Sequence, residues 1–193
     1  MEKLRDYISF DLEFNEHQDK THLIQVSAVR FKDGEEVGAF DSYVHTDVPL
    51  KSFINGLTGI TSETLKDAPM VEEVLKNFQD FVGELPLVGY NAAKSDLPIL
   101  LEYGLDYSGQ YLVDLYDEAF ERRSSDLHGI ANLKLQTVAE FLGFKGQSHN
   151  SLKDARMTAR VYEAFLESDE SRILLDSKSS LNSNPFGGLD LSQ

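Results

Sequence analysis

Two carboxylates interrupt an apolar run close to the start of the chain. Asp11 and Glu13 alternate with Phe10, Leu12 and Phe14 in a segment that has the pattern of a β-strand. Residues two apart in a strand share a face, so these carboxylates are expected roughly 6–7 Å apart on one side of a sheet. Burying both without a partner is costly. A divalent cation or an Arg or Lys side chain would each remove that cost, and the strand alone favours neither.

A second set of polar residues lies at the start of two later helices. His149 precedes an amphipathic helix, and Asp154 falls in the early turns of that helix. Asp96 follows a short apolar strand and begins another helix. Each residue has an ordinary structural explanation. A first-turn Asp complements the helix dipole, an Asp at a helix start can be its N-cap, and a His can simply be exposed on a loop.

Taken together, these residues indicate a shared site for phosphodiester chemistry. The two carboxylates of the first strand, with those of Asp96 and Asp154, would carry up to four negative charges if their elements meet at one edge of a sheet. Two divalent cations would neutralise them. Two cations about 3.5–4 Å apart suit in-line displacement at a phosphodiester. A histidine beside them, such as His149, can remove a proton from the attacking water.

The hydrophobic periodicity predicts the elements that must position these residues. Strands come first and then alternate with helices. The predicted strands are 7–13, 23–31, 37–45, 87–90 and 112–113, and the predicted helices are 71–82, 97–101, 135–142 and 152–165. A long connection is predicted over 49–69. This order predicts an α/β sandwich built around a mixed sheet.

The composition restricts the class of protein. With 18 Lys and Arg against 33 Asp and Glu, the formal charge is −15. That balance counts against broad duplex binding, which needs many cationic contacts to phosphate, but not against an enzyme that handles a few nucleotides through bound cations. The absence of cysteine excludes a disulfide scaffold, a Cys-ligated zinc site and a thiol catalyst. Since no apolar run is long enough to cross a bilayer and the first residues do not resemble a signal peptide, we expect a soluble, cytoplasmic protein without a membrane partner.

The chain is expected to contain one folded domain followed by a tail. Its 193 residues suit a single domain, which we place at residues 1–170. Beyond Glu170 the sequence becomes rich in Ser, Asn and Gly, and we expect residues 171–193 to form a disordered tail.

Five segments, in order, resemble the DnaQ-like 3′→5′ exonucleases of the DEDDh type. The segments are Ser9–Glu13, Leu57–Pro69, Val88–Asp96, Leu133–Gly143 and His149–Ala155. The resemblance covers about residues 5–167. Within this family, the overall pattern is most similar to the proofreading epsilon subunits of bacterial DNA polymerase III and their free-standing relatives.

The resemblance implies a fold, a reaction and a set of catalytic residues. The fold is the ribonuclease H-like three-layer sandwich, with a mixed sheet flanked by helices. The reaction is metal-dependent hydrolysis from the 3′ end of single-stranded DNA, releasing nucleoside 5′-monophosphates. His149 is the implied general base. The implied ligands of two Mg²⁺ or Mn²⁺ ions are Asp11, Glu13, Asp96 and Asp154.

The resemblance also implies substrate contacts and a partner. The residues implied to contact the terminal nucleotide are Leu12, Phe14, Ile60 and Asn91. A DNA polymerase or another replication protein is the implied partner, and the tail is the segment available to bind it.

Several positions depart from the family pattern and leave other functions open. Phe14 stands where the family often has Thr, Ser95 where it usually has Phe, and Ser151 where it has a small Ala. None of these removes a predicted ligand or base, but they leave RNA open as the substrate. A binding module that kept the fold and lost turnover is a further alternative. An aspartyl-nucleophile phosphatase is disfavoured, since such an enzyme requires Asp where Glu13 stands.

Overall fold

The computed structural model describes residues 1–145 and 149–182, with side chains as far as residue 175. Five strands are present: β1 (Asp6–His17), β2 (Lys20–Lys32), β3 (Glu35–Tyr43), β4 (Leu87–Gly89) and β5 (Leu112–Asp114). The helices of the described residues are α1 (Ser52–Thr58), α2 (Ser62–Lys66), α3 (Val71–Val82), α4 (Asp96–Glu102), α5 (Leu115–Glu121), α6 (Leu135–Phe141) and α7 (Ser151–Asn182), with a 3-10 turn at Arg122–Ser124.

The strands form one mixed sheet in the order β3-β2-β1-β4-β5. β1 pairs in parallel with β4, and β4 in parallel with β5. β2 runs antiparallel to both of its neighbours, β1 and β3. The predicted α/β sandwich around a mixed sheet is therefore confirmed. Because the three parallel strands end at the same edge, residues that follow them are brought close together.

Helices cover both faces of the sheet, and β1 contributes to both layers. Ile8 and Phe10 belong to a core cluster formed with α3 and α4. Tyr7 faces the other way, into a cluster formed mainly with α5, α6 and α7. Ser9 shares this second face, and its hydroxyl donates a hydrogen bond to the carbonyl of Ala155 in α7 at 2.7 Å. The alternation in β1 therefore sends its odd-numbered side chains toward α7.

The structure differs from the predicted elements in three places. The connection over 49–69 contains the short helices α1 and α2, and α5 was not predicted at all. These helices have five to seven residues, too few for a helical repeat to be visible in the sequence. Helix α7 continues to Asn182, so residues 171–182 of the predicted tail are helical. The rest of that tail, 183–193, lies outside the described residues, and the division at 170 stays a prediction.

Candidate active site

Strand β1 holds two of the predicted carboxylates on the face toward α7. Asp11 is paired across the sheet with Ser27, and Glu13 with Gln25. Immediately after Glu13 the register shifts, because Phe14 pairs with Leu23 and skips a residue of β2. Such a bulge bends the strand and redirects the side chains near it. The prediction that the two carboxylates share one face is confirmed.

Asp96 joins these carboxylates from the neighbouring parallel strand. It is the first residue of α4, just beyond β4, and is 5% exposed. Its Oδ1 accepts a hydrogen bond from the backbone N–H of Leu12 at 3.0 Å. The donor lies on β1 between Asp11 and Glu13, 84 residues away in sequence. Asp96 is therefore tied to β1, and capping α4 does not account for its position.

Helix α7 supplies the fourth carboxylate through its first turn. Asn150 caps the helix, since its side-chain oxygen accepts from Lys153 N–H and its carbonyl accepts from Asp154 N–H. Asp154 is buried, and its Oδ2 accepts from the backbone N–H of His149 at 2.7 Å. His149 has a left-handed backbone, with φ of 72°. The turn before α7 thus fixes Asp154 and His149 relative to each other.

The carboxylates form one compact cluster. One oxygen from each of Asp11, Glu13 and Asp154 lies within 4.8 Å of the others. Asp96 is held against the same segment of β1 by its hydrogen bond to Leu12. All four predicted ligands are therefore brought together at the edge where the parallel strands end.

Burial is the main cause that raises the pKa of Asp11, Glu13 and Asp96, and the charges of neighbouring carboxylates add to it. Burial, followed by the charges of the other three carboxylates, raises the pKa of Asp11 well above its usual range. Burial and the charges of Asp154 and Asp96 raise the pKa of Glu13 to about 7. Burial also raises the pKa of Asp96 to about 7, although its hydrogen bond from Leu12 acts in the opposite direction. Without a cation, these carboxyl groups therefore hold protons more tightly than isolated carboxyl groups do.

The chemistry of this donor set fits divalent metal ions. Carboxylate oxygens are the ligands preferred by hard cations such as Mg²⁺ and Mn²⁺. Among the described residues, the charges acting on Asp11 and Glu13 are carboxylates rather than Arg or Lys, which disfavours the salt-bridge explanation. Gln25, opposite Glu13, has a buried side-chain oxygen with no hydrogen-bond partner in the described part of the chain. A bound cation would remove the repulsion that the cluster imposes on the fold.

Without a divalent cation, we expect this repulsion to make stability fall as the pH rises. The folded-state pKa of Glu13 is about 7, above an unfolded value of about 4.3, so between these values the folded chain holds more protons than the unfolded chain. The stability that protonation of Glu13 contributes is fully present below the unfolded-state pKa. It is lost as the pH rises through the folded-state pKa. In EDTA at about pH 8, Glu13→Gln should be more stable than wild type by about 3–4 kcal/mol, and this difference should shrink toward pH 5.

Urea denaturation of both proteins across this pH range, in EDTA, measures the difference. Glu72→Gln, at an exposed position of α3, is the matched control, and its stability should vary with pH as that of wild type does. Saturating Mg²⁺ should stabilise wild type at pH 8 more than it stabilises Glu13→Gln, because ligand binding to the folded state adds stability. Parallel pH curves for wild type and Glu13→Gln would refute the account of the cluster.

The predicted substrate contacts fall into two groups. Leu12 and Ile60 are core residues, 5% and 1% exposed. Ile60 is packed in a small cluster with Ile24, and Leu12 in the larger core on the α3 side. Phe14 is partly buried against that larger core, and Asn91 is partly exposed with a left-handed backbone. Side-chain contacts to a nucleotide by Leu12 and Ile60 stay predictions, and Phe14 and Asn91 have surface to offer.

Asp114, at the end of β5, positions the loop that carries Asn91 and Asp96, and the sequence did not reveal it. Its carboxylate accepts from the backbone N–H of Asn91 at 2.7 Å and of Ala93 at 3.0 Å. It also caps α5 by accepting from Tyr116 N–H at 3.0 Å. The only sequence signal for this role was an Asp at the end of a short apolar strand. Its partners Asn91 and Ala93 lie more than 20 residues away, so no local pattern indicates these hydrogen bonds.

A buried hydroxyl pair joins the start of α7 to the sheet beside Asp11. The hydroxyl oxygens of Ser151 and Ser27 are 2.5 Å apart, and both residues are completely buried. Ser27 donates to Asp41 Oδ1 at 2.7 Å. Since a hydroxyl has one proton, Ser151 must be the donor to Ser27. The residue that departs from the family pattern at 151 thus anchors the helix that carries Asp154.

We expect Ser151→Ala to destabilise the fold by about 1 kcal/mol, the net worth of one such hydrogen bond. Ser27→Ala should cost more, about 1–3 kcal/mol, because it also leaves Ser151 without an acceptor. Urea denaturation measures both. Ser124→Ala, at an exposed position, is the control and should change stability by less than about 0.5 kcal/mol. An equal and negligible cost for Ser27→Ala and Ser151→Ala would rule out this anchor.

The chain is similar in sequence to known exonucleases and DNA polymerases. The Exonuclease family model matches residues 8–162. DNA polymerase III subunit epsilon of Aquifex aeolicus is 30% identical over 173 residues, covering 86% of this chain and 85% of that protein. The PolC-type DNA polymerase III of Caldanaerobacter subterraneus is 31% identical over 168 residues, or 84% of this chain. The chain spans only 12% and 13% of the length of the first two PolC-type relatives that it matches.

Solved structures with the same fold include two nucleases. The nuclease domain of 3′hExo, described as a DEDDh family member bound to rAMP, superposes with a TM-score of 0.68 at 20% identity, covering 85% of this chain and 92% of that one. E. coli ExoI, in a zinc-bound complex with single-stranded DNA, gives a TM-score of 0.72 at 16% identity, covering 89% of this chain and 42% of that one. Within the described residues, no helix has both the length and the apolar character needed to cross a membrane.

The family match extends over most of the chain, and it includes every residue of the carboxylate cluster. The epsilon relative is matched along most of its own length as well. The resemblance to DnaQ-like exonucleases is therefore confirmed, and the chain belongs to the Exonuclease family.

Proposed function

We propose that this chain is a metal-dependent 3′→5′ exonuclease that releases nucleoside 5′-monophosphates from single-stranded DNA. The observation that carries the proposal is the convergence of four carboxylates from β1, α4 and α7, three of them with oxygens within 4.8 Å of one another. Burying such a cluster without a partner costs free energy of folding. The cations that the reaction requires would offset this cost, because the cluster would hold them.

Each of the site residues has a role in this proposal. Asp11, Glu13, Asp96 and Asp154 would hold two divalent cations, for which we propose Mg²⁺ or Mn²⁺. Bound there, the cations would supply Lewis-acid stabilisation of the charge that develops on the phosphate. His149 would take a proton from the attacking water. The water oxygen would bond to phosphorus as the bond from phosphorus to the 3′ oxygen breaks. The 3′ oxygen would leave with the electron pair of that bond and take a proton from solvent, which gives the 3′-hydroxyl of the shortened strand.

The terminal nucleotide would be held by the partly exposed residues beside the cluster. Phe14 follows Glu13 on β1 and has ring surface on which a base can stack, a contact worth about 1–3 kcal/mol. Asn91 begins the turn that leads to Asp96, where the backbone N–H of Ser95 donates to the Asn91 carbonyl at 3.0 Å. Both residues are therefore joined to the catalytic segments by short stretches of backbone.

A cytoplasmic DNA polymerase is the partner that we propose, since the relatives matched by sequence are a polymerase subunit and polymerases. The segment predicted to bind it is residues 171–193. Helix α7 presents Ile173 and Leu175 from this segment, 68% and 67% exposed. Replacing both by Asp should abolish co-elution with a bacterial polymerase III core while leaving nuclease activity intact. Unchanged co-elution would remove this segment from the proposed interface.

The substrate and the metal are tested by digesting matched 5′-labelled DNA and RNA single strands with Mg²⁺, with Mn²⁺ and with EDTA. The proposal predicts faster shortening of DNA with either metal and none in EDTA. Faster shortening of RNA would reassign the chain as an exoribonuclease. Activity that persists in EDTA would contradict the role given to the carboxylates.

A further inference from the structure

A pocket opens at the edge of the sheet where the carboxylates lie. It has a volume of about 440 Å³, in the range of small-molecule sites. Its walls are formed by the residues after β4 and β5 and by the segment that leads into α6. Lining residues include Tyr90, Asn91, Tyr116, Asn132, Leu133 and Lys134. Asn91 is the one residue of this lining that already has a role in the proposed function.

Two tyrosines make the wall of the pocket aromatic. Their rings are perpendicular, with centroids 6.3 Å apart. The hydroxyl of Tyr90 donates to the carbonyl of Leu133 at 2.6 Å, so this ring is fixed in place. The ring of Tyr116 is partly exposed, and the ammonium group of Lys94 lies 5.8 Å from its centroid. An aromatic face with a lysine beside it suits a base and its phosphate.

The charge at this pocket is opposite to that of the chain as a whole. Among the described residues, those lining it include Lys134 and no carboxylate. Other pockets mix the two signs: Glu16 and Asp19 lie with Lys20 and Lys51 at the β1–β2 hairpin, and Glu163 and Glu167 lie with Arg160 against α7. The nearby carboxylate of Asp114 is bound by the backbone N–H groups of Asn91 and Tyr116, so in a protein with a formal charge of −15 Lys134 and Lys94 are the charged side chains that this wall offers to a phosphodiester backbone.

The position of the pocket relative to the carboxylates follows from the sheet. Tyr90 directly follows β4, which pairs with β1, and Tyr116 lies just beyond β5, the next strand. Neighbouring strands are about 4.8 Å apart, so these residues are about one and two strand spacings from β1. Both tyrosines pack in the cluster on the α7 side of the sheet, the face that Asp11 shares. The pocket therefore lies on the same face and at the same edge of the sheet as the cluster.

We infer that this pocket binds the nucleotide immediately upstream of the bond to be cleaved. Its base stacks on Tyr116, and its phosphate is neutralised by Lys134 and Lys94. This inference rests on the proposed function and adds a contact that a single terminal nucleotide does not make. Longer strands therefore bind more tightly than a mononucleotide substrate, through the pocket rather than through the catalytic cluster.

Two substrates separate this contact from catalysis: the p-nitrophenyl ester of thymidine 5′-monophosphate, which lacks an upstream nucleotide, and a ten-residue oligothymidylate. Tyr116→Ala should raise KM for the oligonucleotide by about 10-fold, within the range of one lost stacking contact. KM for the ester should change by less than about two-fold. Tyr116→Phe should restore the oligonucleotide KM, because the ring rather than the hydroxyl makes the contact. Lys134→Gln should lower the slope of log KM against log salt by about 0.7, the value for one phosphate contact on a single strand.

Tyr111→Ala is the matched control, because this exposed tyrosine lies at the opposite end of β5 and should leave both KM values unchanged. If wild type degrades both substrates and Tyr116→Ala changes neither KM, or changes both equally, the upstream subsite is wrong while the exonuclease proposal stands. If wild type hydrolyses neither substrate, the proposed function fails and the subsite fails with it.

Discussion

Asp11→Ala should lower kcat by more than about 10³-fold while leaving the protein folded. Asp11 lies at the centre of the cluster, and its pKa is raised by burial and by the other three carboxylates. Losing a cation ligand there removes several kcal/mol of transition-state stabilisation, with each factor of ten worth about 1.4 kcal/mol. The fold should not suffer, since the substitution removes one of four mutually repelling charges. In EDTA, the variant should unfold at a urea concentration at least as high as wild type.

The loss is measured as the rate of nucleotide release from single-stranded DNA at saturating Mg²⁺. Asp11→Asn separates charge from shape and should be equally inactive. Asp19→Asn, on the exposed β1–β2 hairpin, is the control and should match wild type. A rate within about 10-fold of wild type for both Asp11 variants would show that catalysis does not depend on this carboxylate.

Replacing His149 should slow catalysis by about 10²–10⁴-fold, the usual contribution of a general base. The variant must respect the backbone, because His149 has a φ of 72°. Asn tolerates this left-handed conformation better than most residues, so His149→Asn removes the imidazole with little strain. Its backbone N–H can still donate to Asp154 Oδ2, as His149 does at 2.7 Å. The comparison therefore isolates the imidazole from the turn that holds Asp154.

A pH–rate profile gives the second readout for this residue. The profile of His149→Asn should differ in shape from that of wild type, because the variant lacks a group that takes up a proton in the reaction. His128→Asn, at an exposed position on another loop, should keep both rate and profile. Wild-type kcat in His149→Asn would show that the imidazole takes no part in the chemistry.

Much of the site could be predicted because strand geometry is local. Alternation over a few residues placed Asp11 and Glu13 on one face, and the structure confirms this. The sequence also raised the possibility that Asp96 and Asp154 meet them at one edge of the sheet, and the structure brings all four together there. Asp96 could not be assigned from sequence, because its context is also typical of a helix cap. Only the long-range hydrogen bond from the backbone N–H of Leu12 shows that Asp96 belongs to the carboxylate cluster rather than to a cap.

What could not be predicted depends on contacts between distant segments. The anchor between Ser27 and Ser151 joins residues 124 positions apart, and no local pattern encodes such a pair. Asp114 holds the Asn91 turn for the same kind of reason. Ile60 was predicted to contact substrate from the family pattern, but its burial depends on the packing of α1 and α2 against β2. Such packing is visible only once the fold is known.

We propose that this cluster hydrolyses single strands from the 3′ end and releases nucleoside 5′-monophosphates. The most direct test follows a 5′-labelled single-stranded DNA of mixed sequence in Mg²⁺ and identifies the released nucleotides by mass spectrometry at each time. We predict labelled fragments that shorten by one nucleotide at a time, with nucleoside 5′-monophosphates released in order from the 3′ end. Early release of the labelled 5′ nucleotide, internal fragments or nucleoside 3′-monophosphates would contradict the proposed function.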